Sequence, residues 1–180
     1  MKKWKQISSK VLYKHPRLTL IEDEVELPTG EIVHYLKFGG HKRAAATVVA
    51  IKNDQVLLQQ EYSYPPDEIL YQFPGGAVEK DEAPEAGANR ELIEESGYTA
   101  GKLEQLGWYY VDNRRTDTKM YVFLATEITP CKQEGGDREE FIESTWVPIT
   151  SMPERIAKGE ITNFSVLAAW TLYGHRIRNK

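Results

Sequence analysis

Polar and apolar positions alternate with a period of two through residues 17–38. Leu18 and Leu20, then Val25 and Leu27, precede Pro28-Thr29-Gly30, and Ile32, His34, Leu36 and Phe38 follow it. Two alternating runs around a Pro-Gly turn predict an antiparallel hairpin. A second hairpin is predicted from 47–51 and 55–60 around Asn53-Asp54, its apolar runs suited to a buried central sheet. Further strands are predicted at 119–125, where Met120, Val122 and Leu124 alternate with Tyr121 and Phe123, and at 141–147. Helical spacing predicts a helix over 84–96 and a C-terminal amphipathic helix over 164–178 around Val166, Leu167, Trp170 and Tyr173. Ser151-Met152-Pro153-Glu154 reads as a capping box opening a short helix that ends at Gly159.

Strands on both sides of one acidic helix, with another helix at the end, predict an α/β fold with helices packed on a mixed sheet. The first 40 residues exceed what that core needs. They read as an extra antiparallel β element, giving a division into 1–40 and 41–180.

The helix over 84–96 is the densest in candidate chemistry. Pro84 suits a first turn, where its missing N–H costs nothing, and Gly97 suits the left-handed cap that stops a helix. At ~100° per residue, Glu94 and Glu95 fall about 60° and 40° to either side of Glu91, so three carboxylates share one face. Ala88 and Leu92 form a separate stripe able to pack on a sheet.

A solvated acidic face is the ordinary meaning of such a cluster. Two features oppose it here: like charges at i,i+4 repel with no Lys four residues on to offset them, and Pro74-Gly75-Gly76 brings backbone carbonyls nearby. Carboxylates with carbonyls suit a hard divalent cation. His15, His34, His41 and His175 are scattered and Cys131 is the sole cysteine, so no zinc-type spacing exists. Oxygen ligation points to Mg2+ or Mn2+, and through them to a phosphate ester or anhydride as substrate.

Residues 76–97 read G-x5-E-x7-R-E-L-x-E-E-x-G. With Tyr98 next, the segment resembles the Nudix box, in which an aliphatic residue usually stands where Tyr98 does. That departure touches a packing position. The resemblance implies an α/β/α sandwich and hydrolysis of a nucleoside diphosphate linked to another group. It also implies Glu91 and Glu95 as main metal ligands, Glu94 completing the cluster, the Gly75 carbonyl in the metal shell, Arg90 orienting the glutamates and Glu82 in support. Leu58-Gln59-Gln60-Glu61-Tyr62, Gln72-Phe73-Pro74-Gly75-Gly76 and Gly159-Glu160-Ile161-Thr162 extend the similarity to the ADP-ribose and nucleoside diphosphate sugar pyrophosphatase branch. From that branch come the expectations of a homodimer built with the N-terminal strands and of Glu140 as general base, with Glu139 next.

Composition narrows the remaining possibilities. Net charge is −4 and no basic run exceeds two residues, so a long nucleic-acid polymer is not the expected partner. The first residues lead into no apolar signal region and no stretch approaches ~18 apolar residues, so the chain is expected to be soluble and cytoplasmic.

Selectivity is expected outside the box. Trp4, Trp108 and Tyr110, in a Trp108-Tyr109-Tyr110 run, offer flat surfaces for a base, and Arg114 and Arg115 offer donors to phosphate or ribose. ADP-ribose enzymes tend to carry a Tyr-Pro-x-Pro-Gly type segment where this chain has Tyr110-Val111-Asp112-Asn113-Arg114-Arg115. The difference favours a broader nucleotide-sugar range. Two alternatives stand beside it: hydrolysis of nucleoside triphosphates, dinucleoside polyphosphates or FAD, and nucleotide binding without cleavage.

Overall fold

The computed structural model describes residues 2–39, 44–133 and 141–179. They form two compact units, Met1–Lys42 with Tyr110–Thr118, and Arg43–Tyr109 with Lys119–Lys180. The first unit thus includes a loop more than seventy residues downstream of the N-terminal strands.

In the first unit, strands β1 (Lys5–His15), β2 (Leu18–Glu26) and β3 (Ile32–Gly39) make an antiparallel sheet in the order β1-β2-β3. The β2–β3 turn closes with the Gly30 N–H donating to the Leu27 carbonyl at 2.9 Å, and Gly30 takes φ 88°, which glycine adopts without a Cβ penalty. Strand β1 carries no periodic signal in the sequence. Its residues are exposed along their whole length, so no buried face imposes an alternation on the sequence.

The second unit contains β4 (Ala44–Lys52), β5 (Gln55–Ser63), β6 (Glu68–Gln72), β7 (Gly75–Ala77), α1 (Pro84–Ser96), β8 (Tyr98–Tyr110, all but its last residue), β9 (Lys119–Pro130), β10 (Ile142–Pro148), α2 (Met152–Ala157) and α3 (Phe164–Arg178). The sheet order is β10-β5-β4-β9-β8, with β6 added on β5 and β7 on β4. It is a mixed sheet: β4 runs parallel to β9 and antiparallel to β5 and β7. Asn53 and Asp54 both take positive φ, 50° and 58°, as a tight two-residue β4–β5 turn requires.

Period-two alternation sorts the sheet's apolar side chains onto two faces. Val49, Val56, Leu58, Val122 and Leu124 pack with Met152, Val166, Ala169 and Tyr173 of α2 and α3. Ala46, Val48, Leu57 and Phe123 pack with Ala88 and Leu92 of α1. The result is an α/β/α sandwich with one core on each side of the sheet.

The capping box does not form. Ser151 lies in a 3-10 turn (Ile149–Ser151) and its hydroxyl donates to the Pro148 carbonyl at 2.7 Å, leaving α2 without a side-chain cap. The side-chain cap belongs to α3, where Asn163 Oδ1 accepts from the Ser165 N–H at 3.0 Å.

A buried carboxylate cross-links the first unit. Asp23 on β2 is only 5% exposed, accepts from Ser9 Oγ on β1 at 2.7 Å and forms an ion pair with Lys37 on β3. Burial raises its pKa, but hydrogen bonds from Lys37, Ser9 and Gln6 outweigh that and hold it below the ordinary carboxylate value. A folded pKa below the unfolded one means the stabilisation is present above the unfolded value and is lost as pH falls through the folded value. Asp23→Asn is therefore expected to cost about 1–3 kcal/mol at neutral pH, read as a lowered Tm. The gap to the native chain should shrink below about pH 4. A gap of equal size at pH 7 and pH 3 would contradict the assignment.

Candidate active site

The site begins where the chain leaves β5's side and crosses to β4. Strand β6 pairs with β5 as far as Gln59↔Gln72, and β7 then pairs with β4 through Thr47↔Gly75 and Ala46↔Gly76. Pro74 anchors the crossing: its carbonyl accepts from the Val48 N–H at 2.8 Å and from Thr47 Oγ1 at 3.3 Å. At Gly75 a Cβ would collide with the Ala46 carbonyl oxygen and lie 2.7 Å from Thr47 Cα, both backbone atoms. Only glycine lets the two strands approach so closely.

Helix α1 lies against this crossing. Pro84 opens it, and Gly97 ends it at φ 71° with its N–H donating to the Ile93 carbonyl. Ala88 and Leu92, both fully buried, seat it on the sheet. Asn89 Oδ1 accepts from Thr99 Oγ1 and the Ala100 N–H, tying the helix to the start of β8. With the helix fixed, Glu95 is 9% exposed and accepts the Gly75 N–H at 3.1 Å, while the Glu91 carboxylate lies over Gly76, where a Cβ would come within 2.6 Å of it.

Arg90 binds the acidic groups together. Its Nε and Nη2 donate to Glu82 at 3.0 and 3.2 Å, its Nη1 to Glu91 and Glu94 at 2.9 Å each, and its Nη2 also to the Ala77 carbonyl at 2.9 Å. These bonds match the five N–H groups that a guanidinium possesses. Glu82 accepts in addition from the Glu79 N–H and rests against Gly87, where a Cβ would lie 2.9 Å from its Oε2. Hydrogen bonding to Arg90 lowers the Glu82 pKa despite partial burial, and the same bonds raise that of Arg90.

Arg90 also changes the reading of repulsion at Glu91 and Glu95. No Lys lies four residues beyond them, yet Arg90 sits four residues before Glu94 and offsets the charge from the N-terminal side. Three carboxylates, those of Glu82, Glu91 and Glu94, thus meet at one guanidinium, while Glu95 is held by the Gly75 N–H.

Among the described residues no group of three or more Asp, Glu, His or Cys side chains is placed to hold a metal ion by itself. A Mg2+ ion does not require one. It takes one or two carboxylates and fills its octahedron with water and substrate phosphate oxygens. Glu91, Glu94, Glu95 and the Gly75 carbonyl supply only oxygen donors, the type that a hard divalent cation takes.

The structure brings Gly75, Glu82, Arg90, Glu91, Glu94 and Glu95 together. Trp108, on β8 in the same unit, has its ring under the Lys119 ammonium at 4.3 Å. Tyr109 between the candidate aromatics is turned inward, edge-on to Phe164, and burial pushes its phenol up to about 12. Trp4, Tyr110, Arg114 and Arg115 belong to the first unit. Glu139 and Glu140 lie outside the described residues.

Sequence reasoning passed over Tyr35 and Lys37, which line a cavity of about 490 Å³ in the first unit with Arg114 and Arg115. Their i,i+2 spacing on β3 was the available signal. Gln59 is fully buried, its Nε2 donating to Ser144 Oγ at 3.3 Å and its Oε1 without a hydrogen-bond partner among the described residues.

Residues 41–169 match the family profile described as NUDIX domain, and residues 4–35 match the Nucleoside diphosphate sugar hydrolase N-terminal domain. An ADP-ribose pyrophosphatase of Bacillus subtilis (strain 168) is 28% identical over 158 residues, covering 87% of this chain and 85% of the relative. A CMP-5'-(N-acetyl-N-hydroxy-3-aminopropyl)phosphonate hydrolase of Streptomyces rubellomurinus (strain ATCC 31215) is 29% identical over 182 residues, covering 97% and 85%. A solved structure of an ADP compounds hydrolase superposes with a TM-score of 0.92 at 21% identity, over 99% of this chain and 96% of the other, which is a likeness of fold.

The two adjacent glycines are expected to respond differently to an added methyl. Gly75→Ala meets immovable backbone and should cost about 1–3 kcal/mol of stability. Gly76→Ala meets first the movable carboxylate end of Glu91, so it should lower turnover more than Tm. Thermal melts and rates on the same preparations check this, and the opposite ranking would refute the crossing geometry.

Proposed function

This chain belongs to the NUDIX domain family, and on that premise we propose that it is a pyrophosphohydrolase that splits nucleoside diphosphate sugars into a nucleoside monophosphate and a sugar phosphate. The carrying observation is the glutamate set of α1 held by Arg90 against Gly75 and Gly76. The N-terminal match to the nucleoside diphosphate sugar hydrolase domain favours this substrate class over nucleoside triphosphates. The names of the relatives, one acting on ADP-ribose and another on a CMP-linked phosphonate, support a diphosphate-type linkage with a variable group beyond it.

Gly75 through its carbonyl, with Glu91, Glu94 and Glu95, would hold Mg2+, or Mn2+ in its place. Such an ion supplies neutralisation of the diphosphate charge and Lewis-acid polarisation of its oxygens. Arg90 keeps Glu91 and Glu94 in one orientation, so these carboxylates need no reordering when substrate arrives. Glu140, with Glu139 next, is the proposed base that takes the proton of the attacking water while the P–O bond of the diphosphate breaks. Trp4, Trp108 and Tyr110 are proposed to face the base, and Arg114 and Arg115 the phosphate or ribose.

A homodimer through the N-terminal strands is part of this proposal. Ile7, Val11, Leu12 and Tyr13 of β1 are all exposed, more apolar surface than one solvated strand ordinarily leaves open. Size-exclusion elution as a monomer at micromolar concentration would count against it. We place the enzyme in the cytoplasm, in line with its single cysteine.

The reaction is tested by a Mg2+-dependent screen over ADP-ribose, GDP-mannose, UDP-glucose, FAD and nucleoside triphosphates with products identified. Nucleoside monophosphate plus sugar phosphate is expected. Pyrophosphate from triphosphates, or tight binding without product, would overturn the proposal. Two substitutions separate the roles: Glu95→Gln should weaken both Mn2+ affinity and turnover by at least about tenfold. Glu140→Gln should lower kcat by about a hundredfold or more with Mn2+ affinity intact, and a near-normal kcat would remove Glu140 as base.

A further inference from the structure

The loop over 110–118 is fastened to β3 within the first unit through its own backbone. The Asp112 carbonyl accepts from the N–H groups of Arg115 and Thr116 at 3.0 and 2.8 Å, and Asp112 Oδ1 accepts from that of Arg114 at 3.0 Å. The Tyr35 hydroxyl donates to the Arg114 carbonyl at 2.5 Å, and the Phe38 N–H donates to the Arg115 carbonyl at 2.7 Å. The loop is thereby held in place before any ligand arrives.

The side chains around the cavity of about 490 Å³ are less evenly matched. Lys37 is neutralised by Asp23. Arg115 donates to the Leu36 carbonyl at 3.2 Å and lies 5.9 Å from the centre of the Tyr35 ring, while Asp117 is the acid on the same wall. Arg114 is left over: it lines the cavity, and among the described residues its guanidinium has neither hydrogen bond nor ion pair. A lone exposed arginine is ordinary, but one lining a concavity beside a second guanidinium and an aromatic face is the arrangement that captures phosphoryl oxygens.

We infer that this cavity is an anion site taking the phosphoryl group of a sugar phosphate or nucleotide, with Arg114 supplying the charge. The inference deepens the substrate role proposed for Arg114 and Arg115, and it rests on that reading only for the source of the phosphoryl group.

The test uses the full chain in low-salt buffer with EDTA. Without metal, the carboxylates at Glu82, Glu91, Glu94 and Glu95 repel phosphate, so binding reports the cavity. By titration calorimetry, ribose 5-phosphate should bind saturably and ribose at least about tenfold more weakly, a charge-assisted hydrogen bond being the difference. Arg114→Gln should raise the ribose 5-phosphate Kd about ten- to a hundredfold. Its Tm should stay unchanged, because no folded-state bond is lost.

No saturable binding by about 10 mM, equal affinity for ribose, or an unaffected Arg114→Gln variant would each overturn the assignment. A hydrolysis assay with added ribose 5-phosphate separates the sources. A rise in KM alone assigns the phosphoryl group to the substrate, and a change in kcat assigns it to a separate effector; either keeps the cavity as an anion site. Failure to hydrolyse any nucleoside diphosphate sugar would end the reaction proposal and leave the EDTA result standing.

Discussion

One guanidinium organises the acidic face of α1. Arg90 places an N–H on Glu91, on Glu94 and on the Ala77 carbonyl, and two on Glu82. Neighbouring carboxylates on a helix repel, and the repulsion grows where solvent is partly excluded, so an unbridged cluster would splay outward or take up protons. By spanning helix, preceding loop and β7, Arg90 holds the carboxylates of Glu82, Glu91 and Glu94 close. The proposed cation and diphosphate would complete that cluster beside the Gly75-Gly76 crossing.

The sandwich exists on both sides of that constraint. Alternation along β4, β5 and β9 gives the sheet two apolar faces, one covered by α2 and α3 and the other by α1. Burial of Ala88 and Leu92 fixes the rotation of α1, and rotation in turn decides which side chains face the crossing. Gly75 sets how near β7 comes to β4, and Gly76 leaves room for Glu91 above it. Stability and chemistry therefore share residues here, and small volume changes at either glycine reach the carboxylates directly.

Much of this was legible along the chain because local chemistry announces it. Pro84 and Gly97 mark the ends of α1, and the spacing of 91, 94 and 95 gives their shared face. The hairpin turns at Gly30 and at Asn53-Asp54 carry positive φ where the residue types promise it. The exposed strand β1 and the short β6 and β7 leave little periodic signal, because one has no buried face and the others are too brief. Ser151 misled because its hydroxyl had a nearer acceptor in the Pro148 carbonyl. The three bonds of Arg90 to Glu82 and Ala77, and the union of the 110–118 loop with β3, depend on tertiary placement that no spacing rule carries.

The organising role of Arg90 is open to a measurement whose sign alone is decisive. Mn2+ affinity can be followed by electron paramagnetic resonance in the native chain and in Arg90→Gln, with circular dichroism verifying the fold. If Arg90 aligns the glutamates, its removal weakens Mn2+ binding, by about tenfold or more, although the site becomes more negative. Were Arg90 only a counter-ion, the loss of its positive charge would tighten Mn2+ binding instead, and that result would contradict the organisation described here.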